Sequence, residues 1–226
     1  MGTQESGIVG TFVGNYIRRA VRKAFRRLYW IPPTDLPEGP IIYATNHHGW
    51  HDGYVMFHVV SALQRPALDW IAEFEAFPLF RTVGGMPFPP NDPQARAITI
   101  RKTIRRMRDE KKDLILFAEG ILHHGPDLLP FGEALELVAK KVPGVKVVPT
   151  AIRYEMNMHE RPEAYVLFGA PLDPETKNLR VATRDEVKRL LAEASFRVRK
   201  EPDTFKVLAQ GTLDVNERWD VRKFKK

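Results

Sequence analysis

One stretch of this 226-residue chain concentrates groups able to move a proton near neutral pH: Asn46-His47-His48-Gly49-Trp50-His51-Asp52. His47 and Asp52 are five apart, and the glycine between them lets the backbone fold back. A carboxylate that accepts a hydrogen bond from one imidazole nitrogen fixes the tautomer and leaves the other nitrogen free to take a proton. That is the base and its orienter from a hydrolase triad, without the nucleophile. Two other readings stay open at this point. Asp52 is placed to cap a helix, as aspartates at such positions commonly do. His47, His48, His51 and Asp52, joined by His123 and His124, are also of the ligand types that hold zinc or iron in a metal-dependent hydrolase, although their order matches no established metal spacing.

The elements around this stretch follow from pattern. Ile41 to Ala44 is an apolar run released by Pro37, Gly39 and Pro40, which predicts a short buried strand. Tyr54, Val55, Phe57, Val59 and Leu63 then recur at helical spacing. The sequence further predicts strands over 67–72, 113–117, 145–152 and 164–168, and helices over 73–81, 94–108, 131–141 and 184–199. The Gly- and Pro-rich segment 82–90 reads as a loop, and no regular element is expected beyond Pro202. Strands alternating with helices predict an α/β fold with a central, mostly parallel sheet flanked by helices on both faces. Such sheets carry their sites at the carboxyl ends of the strands. Glu119 follows the 113–117 strand directly, so a parallel sheet brings it to the same edge as His47.

Composition narrows the classes. The absence of cysteine excludes thiol catalysis, Cys-ligated zinc and disulfides, and fits a reducing compartment. No apolar run reaches the ~18 residues of a transmembrane helix, and no signal-peptide pattern is present. The net charge is +7, and six of the cations, Arg18, Arg19, Arg22, Lys23, Arg26 and Arg27, fall in the first thirty residues against Glu5 alone. From Val9 to Tyr29 they oppose Val13, Tyr16, Ile17, Ala20, Val21, Ala24 and Leu28 on a helical projection, and Pro32-Pro33 ends the pattern. This basic amphipathic helix divides the chain into residues 1–33, a membrane-surface helix, and 34–226, the main domain. A docked helix with a solvated basic face is the plain alternative. A nucleic-acid arm has no supporting module, so no nucleic-acid partner is expected. The basic end, Arg222 to Lys226, is a second lipid contact or a frayed terminus.

Four stretches in this order, Asn46-His47-x-x-x-x-Asp52, the Gly84-Gly85 loop, Phe117-Ala118-Glu119-Gly120 and Val148-Pro149-Thr150-Ala151-Ile152, resemble the four motifs of the glycerolipid O-acyltransferase superfamily, whose familiar members acylate lysophosphatidic acid (1-acylglycerol-3-phosphate). The resemblance covers roughly residues 40–155. It implies that His47 is the general base, that Asp52 orients it, and that an acceptor hydroxyl attacks an acyl thioester directly. It implies that Asn46, Gly85, Glu119, Gly120 and Pro149 shape the substrate site. The donor is then acyl-CoA or acyl carrier protein, with no metal or redox cofactor. The partners are a lipid hydroxyl acceptor and an anionic membrane surface, and the enzyme is peripheral on the cytoplasmic face of a membrane.

The departures concern the acceptor. Where the superfamily places Thr and Arg after its Glu-Gly, this chain has Ile121 and Leu122, and the arginine expected after the second motif is replaced near Asn91. Those arginines are expected to hold a phosphate, and bidentate guanidinium contacts are not replaced by Leu or Asn. Arg81, Arg96 and Arg153 are the nearby substitutes. The expected acceptor is therefore a lysolipid with another head group, a glycolipid or a hydroxylated terpenoid. A non-catalytic membrane-surface domain on the same scaffold is the remaining alternative.

Overall fold

The structure, a computed structural model, describes residues 7–220 and residue 222. Its first elements are α1 (Gly7–Ala24), β1 (Arg27–Trp30), β2 (Ile41–Thr45), α2 (Asp52–Ala62), β3 (Ala67–Ile71), β4 (Gly85–Pro87) and α3 (Pro93–Glu110). They are followed by β5 (Asp113–Phe117), α4 (Ala134–Lys141), β6 (Lys146–Glu155), β7 (Glu163–Phe168), α5 (Leu179–Lys200) and β8 (Lys206–Gln210). The strands form one sheet in the order β4-β3-β5-β2-β6-β7-β1-β8. From β4 to β6 all pairings are parallel, whereas β6–β7 and β1–β8 are antiparallel.

Alternation along the strands sends side chains to two cores. Ile41, Tyr43, Ile115, Val148 and Ile152 pack under α1 and α2. Ile42, Ala44, Leu114, Leu116 and Val147 pack under α3, α4 and α5. Because both faces are covered, β2 is buried along its whole length, which is why it reads as a continuous apolar run rather than an alternating one.

The topology fixes where a site can form. After β2 the chain crosses through α2 toward β3 on one side, and after β5 it crosses through α4 to β6 on the other. β2 and β5 are neighbours, so their carboxyl ends diverge into loops on opposite faces and leave a crevice between them. At the opposite ends of these strands Asp113 receives Arg65 Nε at 2.7 Å, Arg65 Nη2 at 2.9 Å and the Ile41 amide at 2.9 Å. This buried clamp starts β2 and β5 in a common register.

Several boundaries differ from expectation. The helix of the first thirty residues ends at Ala24, and Arg27–Trp30 is a strand held between β7 and β8. Residues 27–30 of that stretch therefore belong to the main sheet. The local pattern continued a helix because Leu28 lies four residues after Ala24, but pairing on both edges of Leu-Tyr-Trp outweighs it. The apolar stripe read as lipid-facing is largely core, since Val13, Ile17 and Val21 are buried. Arg26 is buried as well, with its guanidinium on Glu163 and Glu217, so it lends nothing to a basic face. Residues 73–81 form two short 3-10 turns, Phe74–Ala76 and Pro78–Val83. Pro87 fits β4 because β4 is an edge strand. β8 was missed because it is a half-exposed edge strand without clean alternation. Of the basic end only Arg222 lies among the described residues, and it pairs with Asp220.

One half-buried residue with a buried carboxylate oxygen makes stability depend on pH. Asp69 on β3 faces Gly53 of α2, and its Oδ1 is buried with no hydrogen-bond partner. Burial lifts its carboxyl from 3.8 to about 7, against a smaller opposing effect of the Trp70 amide. Between these values the folded protein binds a proton that the unfolded chain has released, so this group's contribution to stability declines as pH rises from about 4 to about 7. Asp69→Asn should raise the melting temperature at pH 8 and leave it nearly unchanged near pH 4. Equal effects at both values in a thermal melt would show that the side chain is solvated.

Candidate active site

The turn joining β2 to α2 is closed by the Asp52 amide on the carbonyl of Gly49 at 3.1 Å. Asp52 is the first residue of α2 but caps nothing: no side-chain cap is formed at this helix start. Its carboxylate points back across the turn instead. Oδ2 accepts from His47 Nδ1 at 2.9 Å and from the Gly49 amide at 2.9 Å, and Oδ1 accepts from the Tyr154 hydroxyl at 2.5 Å. The side chain of Asp52 has 0% exposure, so these three donors replace all of its water. A carboxylate facing Nδ1 places the proton there and leaves Nε2 as the basic nitrogen. The imidazole also stacks on Phe117 at 4.3 Å, with 23% of its surface open.

Tyr154 was not legible in the motif, which ends at Ile152. It reaches Asp52 because β6 runs three residues further, and Val148, Ile152 and Tyr154 share a face by alternation. Burial, together with the charge of Asp52, raises its hydroxyl well above the usual phenol range. It therefore stays a donor at every working pH. Gly49 is required by the same packing: a Cβ there would lie 2.3 Å from the Tyr154 ring.

Glu119 occupies the turn after β5, whose reversal uses Gly120 at φ +77°. Each oxygen of Glu119 has a backbone donor. Oε1 accepts from the His47 amide at 2.8 Å, and Oε2 accepts from the Leu129 amide at 2.7 Å and stands 2.5 Å from His123 Nε2. His48 Nε2 stands 3.5 Å from Oε1. Burial opposes the charge, but the His48 imidazole, both amides and His123 outweigh it and hold the carboxyl at about 2. Glu119 is thus an anion that ties the end of β2 to the loop beyond β5.

The other expected site residues fall in different places. Asn46 is wholly buried: its amide donates to the Ile152 carbonyl at 3.0 Å and its Oδ1 accepts from the Ile152 amide at 2.9 Å. It extends the β2–β6 ladder by one side-chain rung and offers no group to a substrate. Pro149 is buried inside the sheet opposite Ala44, on the face away from Tyr154. Arg153 shares that face and pairs with Glu155 at 2.9 Å. Gly85 begins β4, where a Cβ would meet Ile71 and Phe80 at 2.9 Å. Arg81 lies over the Phe74 ring and Arg96 over that of Phe88, so neither guanidinium joins the hydrogen bonds around His47 and Glu119. His51 packs edge-on against Phe25 and Trp50, and His124 hydrogen-bonds within its own loop. The metal set read from sequence is thus not assembled. Among the described residues the one convergent trio is His48, Glu119 and His123.

A family model described as Acyltransferase matches residues 25–153, spanning both carboxylates and the dyad. The chain belongs to the Acyltransferase family. It is an acyltransferase, and its fold is shared with a solved relative. The crystal structure of the 1-acyl-sn-glycerophosphate (LPA) acyltransferase PlsC from Thermotoga maritima matches with a TM-score of 0.60 and 18% identity. The match covers 82% of this chain and 79% of that one. No curated protein matches this sequence. For this Acyltransferase chain, the hydrogen bond from Tyr154 predicts that Tyr154→Phe lowers kcat about tenfold with little change in KM, because a charge-assisted bond contributes on the order of 1.5 kcal/mol or more. Gly49→Ala should be worse than Tyr154→Phe in both melting temperature and turnover; the reverse order would contradict the packing.

Proposed function

We propose that this chain is an O-acyltransferase that moves a fatty acyl group from an acyl thioester, acyl-CoA or acyl carrier protein, to the hydroxyl of a membrane lipid. The observation that carries this reading is the His47–Asp52 pair at the β2–β5 crevice, in a chain of the Acyltransferase family. His47 Nε2 takes the acceptor's hydroxyl proton as its oxygen attacks the thioester carbonyl carbon. The carbon–sulfur bond then breaks, and the proton passes from His47 to the departing thiolate. No enzyme nucleophile is required, and neither a metal nor a redox cofactor enters the step. Asp52 holds the tautomer. Glu119 fixes the His47 backbone and the acceptor side of the crevice.

The acceptor reading rests on what lies beyond Glu119. Ile121 and Leu122 are 57% and 46% exposed, and Arg81 and Arg153 are engaged elsewhere. An apolar pair where the superfamily carries Thr and Arg favours a lysolipid lacking a terminal phosphate, a glycolipid or a hydroxylated terpenoid over lysophosphatidate, the acceptor named for the Thermotoga maritima relative. His47→Ala should lower kcat/KM by roughly 10²–10⁴; unchanged transfer would remove the central claim. With labelled palmitoyl-CoA, non-phosphate acceptors should outcompete lysophosphatidate, and a clear preference for lysophosphatidate would reverse the acceptor assignment.

A peripheral position on an anionic, cytoplasmic membrane face accompanies this reading. Ile8, Phe12 and Tyr16 form an exposed stripe on α1, continued by Arg19 and Lys23. Tyr16 and Trp50 both pack on Tyr54, at 6.4 and 5.6 Å. This aromatic bridge carries the stripe to the 68%-exposed Trp50, two residues before Asp52. No described helix is long and apolar enough to cross a membrane. Deleting residues 1–30 would remove β1 from the sheet, so surface substitutions are the proper test. Phe12→Ser with Arg19→Glu should reduce co-sedimentation with anionic vesicles several-fold while melting is unchanged, since each cation contributes ~1 kcal/mol near such a surface. Undiminished binding would place the lipid contact elsewhere.

A further inference from the structure

The acyl-transfer reading gives Glu119 a role but none to the two imidazoles beside it. His48 Nε2, a carboxylate oxygen of Glu119 and His123 Nε2 lie within 4.8 Å of one another. They come from three segments: the β2–α2 turn, the end of β5 and the loop that follows it. Hydrogen bonding accounts for His123 and for Glu119. It leaves His48 Nε2 buried without a hydrogen-bond partner, 3.5 Å from an anionic oxygen. The ring is pinned there by close packing, since a Cβ on Gly125 would come within 2.8 Å of its Nδ1. Two imidazoles and one carboxylate are the donor set of many zinc sites, and ligand bonds of about 2.1 Å in tetrahedral geometry set such atoms roughly 3.4 Å apart. The trio's atoms, all within 4.8 Å of one another, span that spacing.

The surroundings also suit a metal. His123 Nδ1 faces the His124 carbonyl at 3.3 Å, the contact that fixes a ligating tautomer with Nε2 toward the ion. The two amides on Glu119 orient its carboxylate in the same way. Its negative charge offsets part of the ion's.

We propose that His48, Glu119 and His123 form a binding site for one divalent transition-metal ion of the zinc type, which cross-links the two loops of the crevice. The ion takes the place of the Glu119–His123 hydrogen bond and engages the buried nitrogen of His48. It does not enter the acyl-transfer step, so the site stands or falls separately from the catalytic reading.

The test is titration of the full chain, freed of metal with EDTA and dialysed, with Zn²⁺ by calorimetry and with Co²⁺ by visible absorption. One equivalent of Zn²⁺ should bind, Co²⁺ should give the intense visible band of a low-coordinate site, and Zn²⁺ should raise the melting temperature. His48→Ala and His123→Ala should each weaken Zn²⁺ binding at least tenfold, while His124→Ala, on the same loop but outside the trio, leaves it unchanged. Because His48 is buried in a tight turn, the half-buried His123 provides the decisive variant if His48→Ala fails to fold. Absence of stoichiometric binding, or equal weakening by His124→Ala, overturns the site.

Discussion

A carboxylate buried without water must find donors or give up its charge, and much of the active end of this protein is arranged to supply donors to Asp52. They come from three directions: an imidazole and an amide in the turn before it, and a phenol from the last part of β6. Each imposes a condition elsewhere. The amide requires the tight turn through Gly49, the phenol requires a glycine under its ring, and β6 must continue past the Asn46–Ile152 rung that holds it against β2. The orientation of His47 is a consequence of these conditions, not an independent feature.

Glu119 solves the same problem with a different result. Its donors include two backbone amides, one from His47 itself, so the second carboxylate holds the polypeptide where the first holds a ring. Divergence of the chain after β2 and β5 separates their loops on opposite faces of the sheet, and Glu119 rejoins them across the crevice. A charge held at about 2 remains a fixed anion throughout the physiological range. That suits a cross-link better than a proton-transfer group.

α1 shows how one helix serves two surfaces. Val13, Ile17 and Val21 close the core beside α2, while Ile8, Phe12 and Tyr16 remain exposed on its other side. The cations are divided in the same way: Arg19 and Lys23 face outward, but Arg26 is consumed by Glu163 and Glu217. A helical wheel sums both apolar stripes into one and counts every cation alike, which is why it leaves a membrane-surface helix and a docked helix as alternatives. Packing against the sheet separates the stripe that belongs to the fold from the stripe left over.

The sequence by itself determined the class of fold, the two strand ends and the juxtaposition of His47 with Asp52, because these rest on periodicity and on spacings of a few residues. Apolar runs over 41–44 and 113–117 were enough to bring His47 and Glu119 to one edge. Tertiary structure alone decided that Tyr154 joins Asp52 from 102 residues away, that Asn46 is a ladder rung, and that Arg81 and Arg153 turn elsewhere. It also decided that His123 pairs with Glu119 and that residues 27–30 are sheet and not helix. These outcomes depend on which strands become neighbours and how far each extends. Both are set by long-range pairing energy and burial of the two sheet faces, for which a local window of sequence carries no signal.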